Sequence, residues 1–376
     1  MTPGPAPPDV RYTGVSCQLE ATDWEEAIEI YHRNGWTDGL PIIPPTPARV
    51  AEFVAAAGGR PSDPIGHYAL RDRPVTLEKL AINSVMAGCL PEYLPVVAAI
   101  VGCMLEPGFD VHTANSSTGS LALGFVVNGP IRHLLGMNTQ GDVLGPGNRA
   151  NASIARALRL IQINVMGSVS GAGAPHSHDR PVLDRSTMGH PAKYVAYHVA
   201  EFEEAYRELT PLHVMLGFDP ADSVVSAFAV GNHIMLSNHA ETGPEEWIAS
   251  VAHYLVGAGR LDRAGFGVLL VPPEPAGMFV DAGWSKLDIS RALYESTRRS
   301  AAWVKQHGWK VGGRFERGAP VEWGDAEQML AAAGRPEDLH VVVCGGPAGN
   351  FLVYMQTYAS SLELISRRIG RPGRTA

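Results

Sequence analysis

The sequence predicts an α/β protein of two lobes, a helix-rich N-terminal lobe and an α/β C-terminal lobe with a mixed sheet. Three observations predict it. Five helix-like stretches and a single long strand fall before Gly167. A small-residue stretch, "SVSGAGA" from Ser168 to Ala174, then marks a change of composition near residue 170. Beyond it, apolar strand-like runs alternate with helical segments, as in a partly parallel sheet. The expected organisation is a tail over 1–20, an N-terminal lobe over 21–170 and a C-terminal lobe over 171–376.

The opening "MTPGPAPPDV" lacks the basic-then-apolar order of a signal peptide and reads as a disordered tail. "ATDWEEAIEIYHRNGW" reads as a helix capped by Thr22 or Asp23, with Trp24, Ala27, Ile28 and Tyr31 on one face. "LPIIPPT" excludes helix, because each proline lacks an N–H and biases its predecessor to extended geometry. Ile42 and Ile43 are expected to form a short edge strand. Thr46-Pro47 is a cap followed by a first helical position, opening a helix to about Ala57. The segment between is a rigid strap, with Trp36, Thr37, Asp38 and Gly39 as a pocket rim.

Two small-residue helices follow, one from Thr76 to about Cys89 and one opened by Pro91. "SLALGFVVNGP" is a strand ending in a turn at Asn128-Gly129-Pro130. Gly145-Pro146-Gly147 then leads into a helix capped by Asn148 or Asn151, carrying Ile154, Leu158 and Ile161 on one face and stopping at Gly167. In the second half, "DSVVSAFAV" is a strand, "GPEEWIASVAHYLV" a helix and "GFGVLLVPPEPA" a buried strand ending in a proline-rich turn. A helix in "DAGWSKLDISRALYESTRR" and a strand in "LHVVVCGGPAGN" complete the pattern. On such sheets ligands sit at the carboxyl ends of strands, here Val230–His233, Pro272–Glu274 and Cys344–Asn350.

Composition excludes several classes. Of 376 residues 45% are hydrophobic, so the chain is not a disordered one. No apolar run approaches the roughly 18 residues of a membrane span. The net charge is −8 and basic clusters are absent, which argues against nucleic acid. The four cysteines, Cys17, Cys89, Cys103 and Cys344, contain no CxxC pair, so a disulfide scaffold or thiolate zinc site is not expected and the cytoplasm is the expected compartment.

Candidate chemistry falls into four groups. The glycine turn before Asn148 exposes N–H groups at the positive end of a helix, beside Arg149 and Arg156, and is suited to a carboxylate, phosphate or sulfonate. It is neither a Walker A nor a Rossmann fingerprint. Among 14 histidines, His176 and His178 with Asp179 form a short cluster in a glycine-rich stretch. His190, His213, His233 and His239 fall near strand ends or ordered loops. Any transition metal is expected on His213, His233 or His239 rather than on the 176–179 cluster, because a site needs ligands on fixed elements. His190 and Lys193, in "GHPAKY", and Asp38 are the expected acid–base residues. Asn128, Asn148, Arg149, Asn151, Gly345 and Gly346 are the expected substrate contacts. No G-x-S-x-G elbow is present. Cys344 precedes two glycines at a strand end and reads first as a small buried hydrophobe, then as a nucleophile.

"WTDGLPIIPPT", "AINSVMAGCLPEYLPVV", "VNGPI", "LGPGNRANA", "GHPAKY", "DAGWSK" and "VVCGGPAGN" resemble, in matching order from about Trp36 to Ile369, an uncharacterised bacterial family related to UGSC-motif proteins. In those a selenocysteine or cysteine precedes Gly-Ser-Cys. That motif is absent here, and "PHSHDRP" departs from the family pattern. The resemblance implies thiol or selenol redox chemistry only by association with a redox protein partner.

Two functions follow as expectations. The first is an enzyme binding a small polar or anionic substrate between the lobes, with lyase-like or redox-linked chemistry run by His and Lys. The second is a non-catalytic subunit of a thiol or selenol redox complex. The cofactor is open, a homo-oligomer is an option, and neither nucleic acid nor membrane is expected as a partner.

Overall fold

A computed structural model describes residues 11–12, 16–169, 184–239, 243–258, 261, 265–307, 325–357 and 363–370. Its two main sheets are built from β1 (Ala122–Asn128), β2 (Tyr197–Ala200), β3 (Val224–Val230), β4 (Asn232–Ser237), β5 (Gly267–Val271), β6 (Leu339–Val343), β7 (Phe351–Gln356) and β8 (Ile365–Arg368). The longer helices are α1 (Trp24–Arg33), α2 (Pro47–Ala56), α3 (Leu77–Ala87), α4 (Leu94–Met104), α5 (Arg149–Asn164), α6 (Pro244–Gly257), α7 (Pro273–Asp281) and α8 (Lys286–Thr297).

Both sheets are mixed. The first runs β8-β3-β1-β2, with β1 and β2 parallel and the other pairs antiparallel. The second runs β6-β5-β7-β4, again with one parallel pair, β5 and β6, at an edge. The same four-strand pattern thus occurs twice, and each half lends its last strand to the other. From β3 the chain passes through Gly231 into β4 of the second sheet, and from β7 it passes Thr357 on the way to β8 of the first. The crossings touch: Gly231 N–H donates to Gln356 O at 2.8 Å, and the Thr357 hydroxyl donates to Ala229 O. Corresponding helices carry "IARAL" (Ile154–Leu158) and "ISRAL" (Ile289–Leu293), a short sequence echo of this repeat.

Alternation along the strands explains the layering, since successive side chains point to opposite faces. In the first sheet Leu123, Phe125, Val127, Val225 and Ala227 pack on the N-terminal helices. Val126, Val199, Phe228 and Val230 point the other way, onto Val268, Leu270, Val342 and Met355 of the second sheet. Leu269, Val271, Val341 and Val343 face α6 and α8. The result is four layers, helix–sheet–sheet–helix. The α/β class with mixed sheets is as expected. The boundary near residue 170 runs through the first sheet, because β1 pairs with β2 and β3 from beyond it. An apolar layer, not a ligand crevice, lies between the sheets among the described residues.

Local expectations meet mixed outcomes. Asp23 and Thr46 cap α1 and α2, and Gly88 ends α3 in the left-handed region, as the residue types dictate. Ile42-Ile43 is not a strand: Ile42 is buried against the helices, and Ile43 N–H makes one bond, to Met86 O at 3.2 Å. The proline-rich segment after β5 is not a turn but the start of α7, with Pro273 at a position where its missing N–H is harmless. No single helix among the described residues is long and apolar enough to cross a membrane; the bent pair Pro91–Met104 and Pro107–Ser116 passes that test jointly, but α4 within it is buried core.

Gly129 ends the β1 turn at φ +81°, and a Cβ there would run into the backbone carbonyl of Asp222. Gly129→Ala is expected to lower unfolding free energy by about 1–3 kcal/mol, from left-handed strain plus local displacement. Guanidinium unfolding checks it; an unchanged midpoint would show that the loop around Asp222 yields freely.

Candidate functional site

Two arginines three residues apart on α5 organise the polar face of the N-terminal half. Arg156 grips Asp38 in a two-pronged pair, Nε to Oδ2 at 2.9 Å and an Nη to Oδ1 at 3.0 Å. The same guanidinium donates to Pro41 O at 2.7 Å, so α5 holds the proline strap in place. Asp38 is a buried partner of Arg156 and does not line the cavity described next.

Arg159 turns toward Asp184, 3.5 Å away, and donates to the Ser168 hydroxyl at 3.4 Å. Lys193 Nζ donates to both Asp184 oxygens at 2.8 Å and also to Ser186 Oγ, which itself donates to Asp184 Oδ1 at 2.6 Å. Two desolvated cations therefore share one carboxylate. Beside them lies a cavity of about 10 Å³, room for one water, lined by Arg159, Lys193, Gln162, Asn115 and Ser168. Gln162 donates to Asn115 Oδ1 at 2.8 Å. Burial pulls the Lys193 ammonium below its ordinary pKa, against the restoring pull of Asp184, and burial lowers Arg159 likewise. Burial pushes Asp184 up, but hydrogen bonds from Lys193 and Ser186 outweigh it and keep the carboxyl low.

His190 opens the short turn that carries Lys193, its Nδ1 accepting from Ala192 N–H at 3.2 Å. Its ring meets Tyr197 edge-on at 5.7 Å, and Tyr197 stacks on His233 at 5.2 Å. Burial first, then the charges of Lys193 and His233, lower its pKa. The three expected metal ligands stay apart. His213 is buried with Nδ1 3.9 Å from Glu203, His233 stacks on Tyr197, and His239 lies edge-on to Phe351 at 5.1 Å. No group of three or more metal-ligating side chains occurs among the described residues. His176, His178 and Asp179 lie outside the described residues.

The start of α5 is closed by the protein itself. Asn148 Oδ1 accepts from Asn151 N–H at 3.0 Å, and Asn148 Nδ2 donates to Gly136 O at 2.7 Å. Arg149 Nε donates to Gly88 O at 3.0 Å. Asn151 binds both the N–H and the C=O of Asn138. The next residues reach the second sheet: Gly345 N–H donates to Thr139 O at 2.9 Å, and Gly346 packs on Gly141. Asn148, Asn151 and Gly345 thus fasten one loop to α5 and β6 as structural ties.

Asn128 sits elsewhere, where the carboxyl ends of β1, β2 and β6 converge. Glu201, just after β2, accepts from Asn128 Nδ2 at 2.6 Å, from Leu212 N–H at 2.8 Å and from Val343 N–H at 3.3 Å, and pairs with the Lys286 ammonium. Arg132 beside it meets Glu203 at 2.9 Å and Glu204 at 3.0 Å. The sequence reading missed this cluster. Its signal was "EFEE" directly after a strand, where the apolar run carries the first carboxylate, Glu201, inward, while Glu204 stays exposed.

Cys344 is buried, and burial, then the Glu201 charge, pushes its thiol up well above the ordinary range. Iodoacetamide below pH 7 is expected to leave Cys344 unmodified in the native protein; rapid labelling there would instead require a stabilised thiolate.

No protein-family model matches this chain, and no curated protein and no solved structure matches it either.

Proposed function

We propose that this chain is a small-molecule enzyme that binds the carboxylate head of its substrate at the Arg159–Asp184–Lys193 cluster. The observation that carries the reading is charge. Among the described residues three cations, Arg156, Arg159 and Lys193, meet two carboxylates, Asp38 and Asp184, beside a small cavity. The imbalance favours a bound anion, and the low local dielectric strengthens that preference. The cavity has room for one water, so an acid enters by putting one carboxylate oxygen in that water's place, with the rest of the substrate outside.

Proton transfer falls to His190, held neutral on the turn that carries Lys193. In a lyase-like step the imidazole takes a proton from the carbon next to the substrate carboxylate. The electron pair stays on the substrate as an enolate, which Arg159 and the Lys193 ammonium stabilise. The lowered Lys193 is the second group able to give up a proton. Of the four cysteines, Cys89, Cys103 and Cys344 are buried with their thiols pushed up, which leaves the exposed Cys17 as the one open to a thiol or selenol partner.

A thermal-shift panel of formate, pyruvate, malate and glycolate tests the proposal. A ligand at a hundred times its Kd stabilises the native state by about 2.7 kcal/mol. At least one acid is expected to raise the melting temperature of the native chain, with the shift lost in Arg159→Met and reduced in Lys193→Met. No shift with any acid, or an undiminished shift in Arg159→Met, rejects it.

A further inference from the structure

A separate chamber of about 400 Å³ lies between α1, α3 and the end of α5, with Tyr31, Trp36, Arg73, Lys79, Asn83 and Asn164 in its walls. That volume is in the range that small ligands use, and the mix of aromatic wall and few polar groups is what such sites share. An apolar trough of about 610 Å³ adjoins it, and Ser16, Tyr31, Trp36 and Ile82 line both. Trp24, Pro44, Val50 and Val54 extend the trough, so the proline strap and α2 form one of its sides. Tyr31 and Trp36 meet edge to face at 5.5 Å between the two spaces.

The chamber's polar atoms specify what would fit. Lys79 Nζ donates to Pro74 O at 2.8 Å, one of an ammonium's three donors. Burial, then the neighbouring Arg73, destabilises its charge, which an anion would restore. Asn83 Nδ2 donates to Lys79 O, and Asn164 Nδ2 donates to Asn83 Oδ1 at 2.8 Å and to Trp36 O at 3.0 Å. Asn164 Oδ1 is buried and has no partner. An unsatisfied buried acceptor is uncommon in native proteins and calls for a donor.

We propose that chamber and trough form a second ligand site, for an amphipathic hydroxy acid: a carboxylate with an adjacent hydroxyl donor and an aryl or branched-alkyl body. The carboxylate lies by Lys79 and Arg73, the Asn164 side chain turns its enclosed Oδ1 into the chamber to accept from the hydroxyl, and the body crosses the Tyr31–Trp36 wall into the trough. Asn164 and Arg159 are five residues apart on α5, about 140° around the helix at 100° per residue, so this site is distinct from the Arg159–Lys193 cluster.

Titration calorimetry on the full chain tests it with 3-phenyllactate against three partial probes: 3-phenylpropanoate lacks the hydroxyl, lactate the ring and 3-phenylpropane-1,2-diol the carboxylate. Phenyllactate is expected to bind with a Kd below about 1 mM, and each partial probe about tenfold or more weaker. Lys79→Met is expected to weaken phenyllactate about tenfold or more. Ile82→Trp, which fills the shared wall with Lys79 intact, is expected to abolish binding and serves if Lys79→Met fails to fold. Absence of phenyllactate binding, equal binding of any partial probe, or equal binding by Lys79→Met and the native chain overturns the proposal.

Discussion

Lys286→Met is expected to lower the unfolding free energy by about 3–5 kcal/mol, as does removing one member of a buried ion pair. Lys286 and Glu201 are each only 1% exposed. Glu201 is tied by its other bonds to β1, to the start of the Leu212–Met215 turn and to β6. Without the ammonium, its charge stays in a space that water does not reach, and Asn128 and two N–H groups are too few to replace a cation. Glu203 and Glu204 sit nearby: burial raises Glu204, but Arg132 and His133 more than offset this and hold it at about 2. The arginine is thus already engaged and cannot stand in for Lys286. Glu201→Gln combined with Lys286→Met removes the stranded charge while keeping an oxygen for the N–H donors. A double-mutant cycle is expected to return a coupling of about 1–3 kcal/mol. Guanidinium unfolding of the native chain and three variants decides: a loss under 1 kcal/mol in Lys286→Met would mean that the site admits water.

The helices and the α/β class were legible because local chemistry writes them. Asp23, Thr46-Pro47 and Gly88 end or begin helices for reasons contained in a few residues. The strands β2, β4, β7 and β8 were not foreseen. They are four to six residues long, and two of them, β4 and β8, pair only with a strand from the other half of the repeat. The exchange of edge strands explains why residue 170 looked like a boundary: composition changes there, but pairing does not follow composition. The "IARAL" and "ISRAL" echo was available in the sequence and would have pointed to the repeat.

The candidate site divides in the same way. Lys193 and His190 were singled out from one short motif, and the fold sets them on one turn beside Asp184 and Arg159. Arg159 could not be chosen over Arg149 or Arg156 from spacing alone. All three lie on one helix, and only the neighbours decide which guanidinium is left facing a cavity. At the α5 start Asn148 satisfies one of the exposed N–H groups itself, the commonest fate of such a cap, and Arg149 turns to Gly88 O.

Acid is expected to destabilise this protein well before its carboxylates titrate. His190, His198, His233 and His340 all hold lowered pKa values, burial being the first cause in each, and His340 is brought down to about 4. Below pH 6.5 the unfolded chain takes protons on these rings while the folded chain does not. The unfolded state then binds more protons, so stability is fully present above pH 6.5 and falls as pH drops, for His340 until about pH 4. Each fully excluded histidine gives about 1.4 kcal/mol per pH unit, so four set an upper limit near about 5.5 kcal/mol per unit. His190 is half-buried and His233 is exposed, so solvent screening returns part of the first share and most of the second. His198 is the most enclosed of the four, with Nδ1 2.8 Å from Ala196 O. The lowered carboxylates Asp184 and Glu204 act in the same direction only below their ordinary values near 4, which separates the two windows. Guanidinium unfolding at pH 7.5, 6.5, 5.5 and 5.0 reads the slope, and His340→Gln should flatten it by up to one histidine's share. Stability that stays level from pH 7.5 to 5.5 would show that these rings charge in the folded state as readily as in the unfolded one.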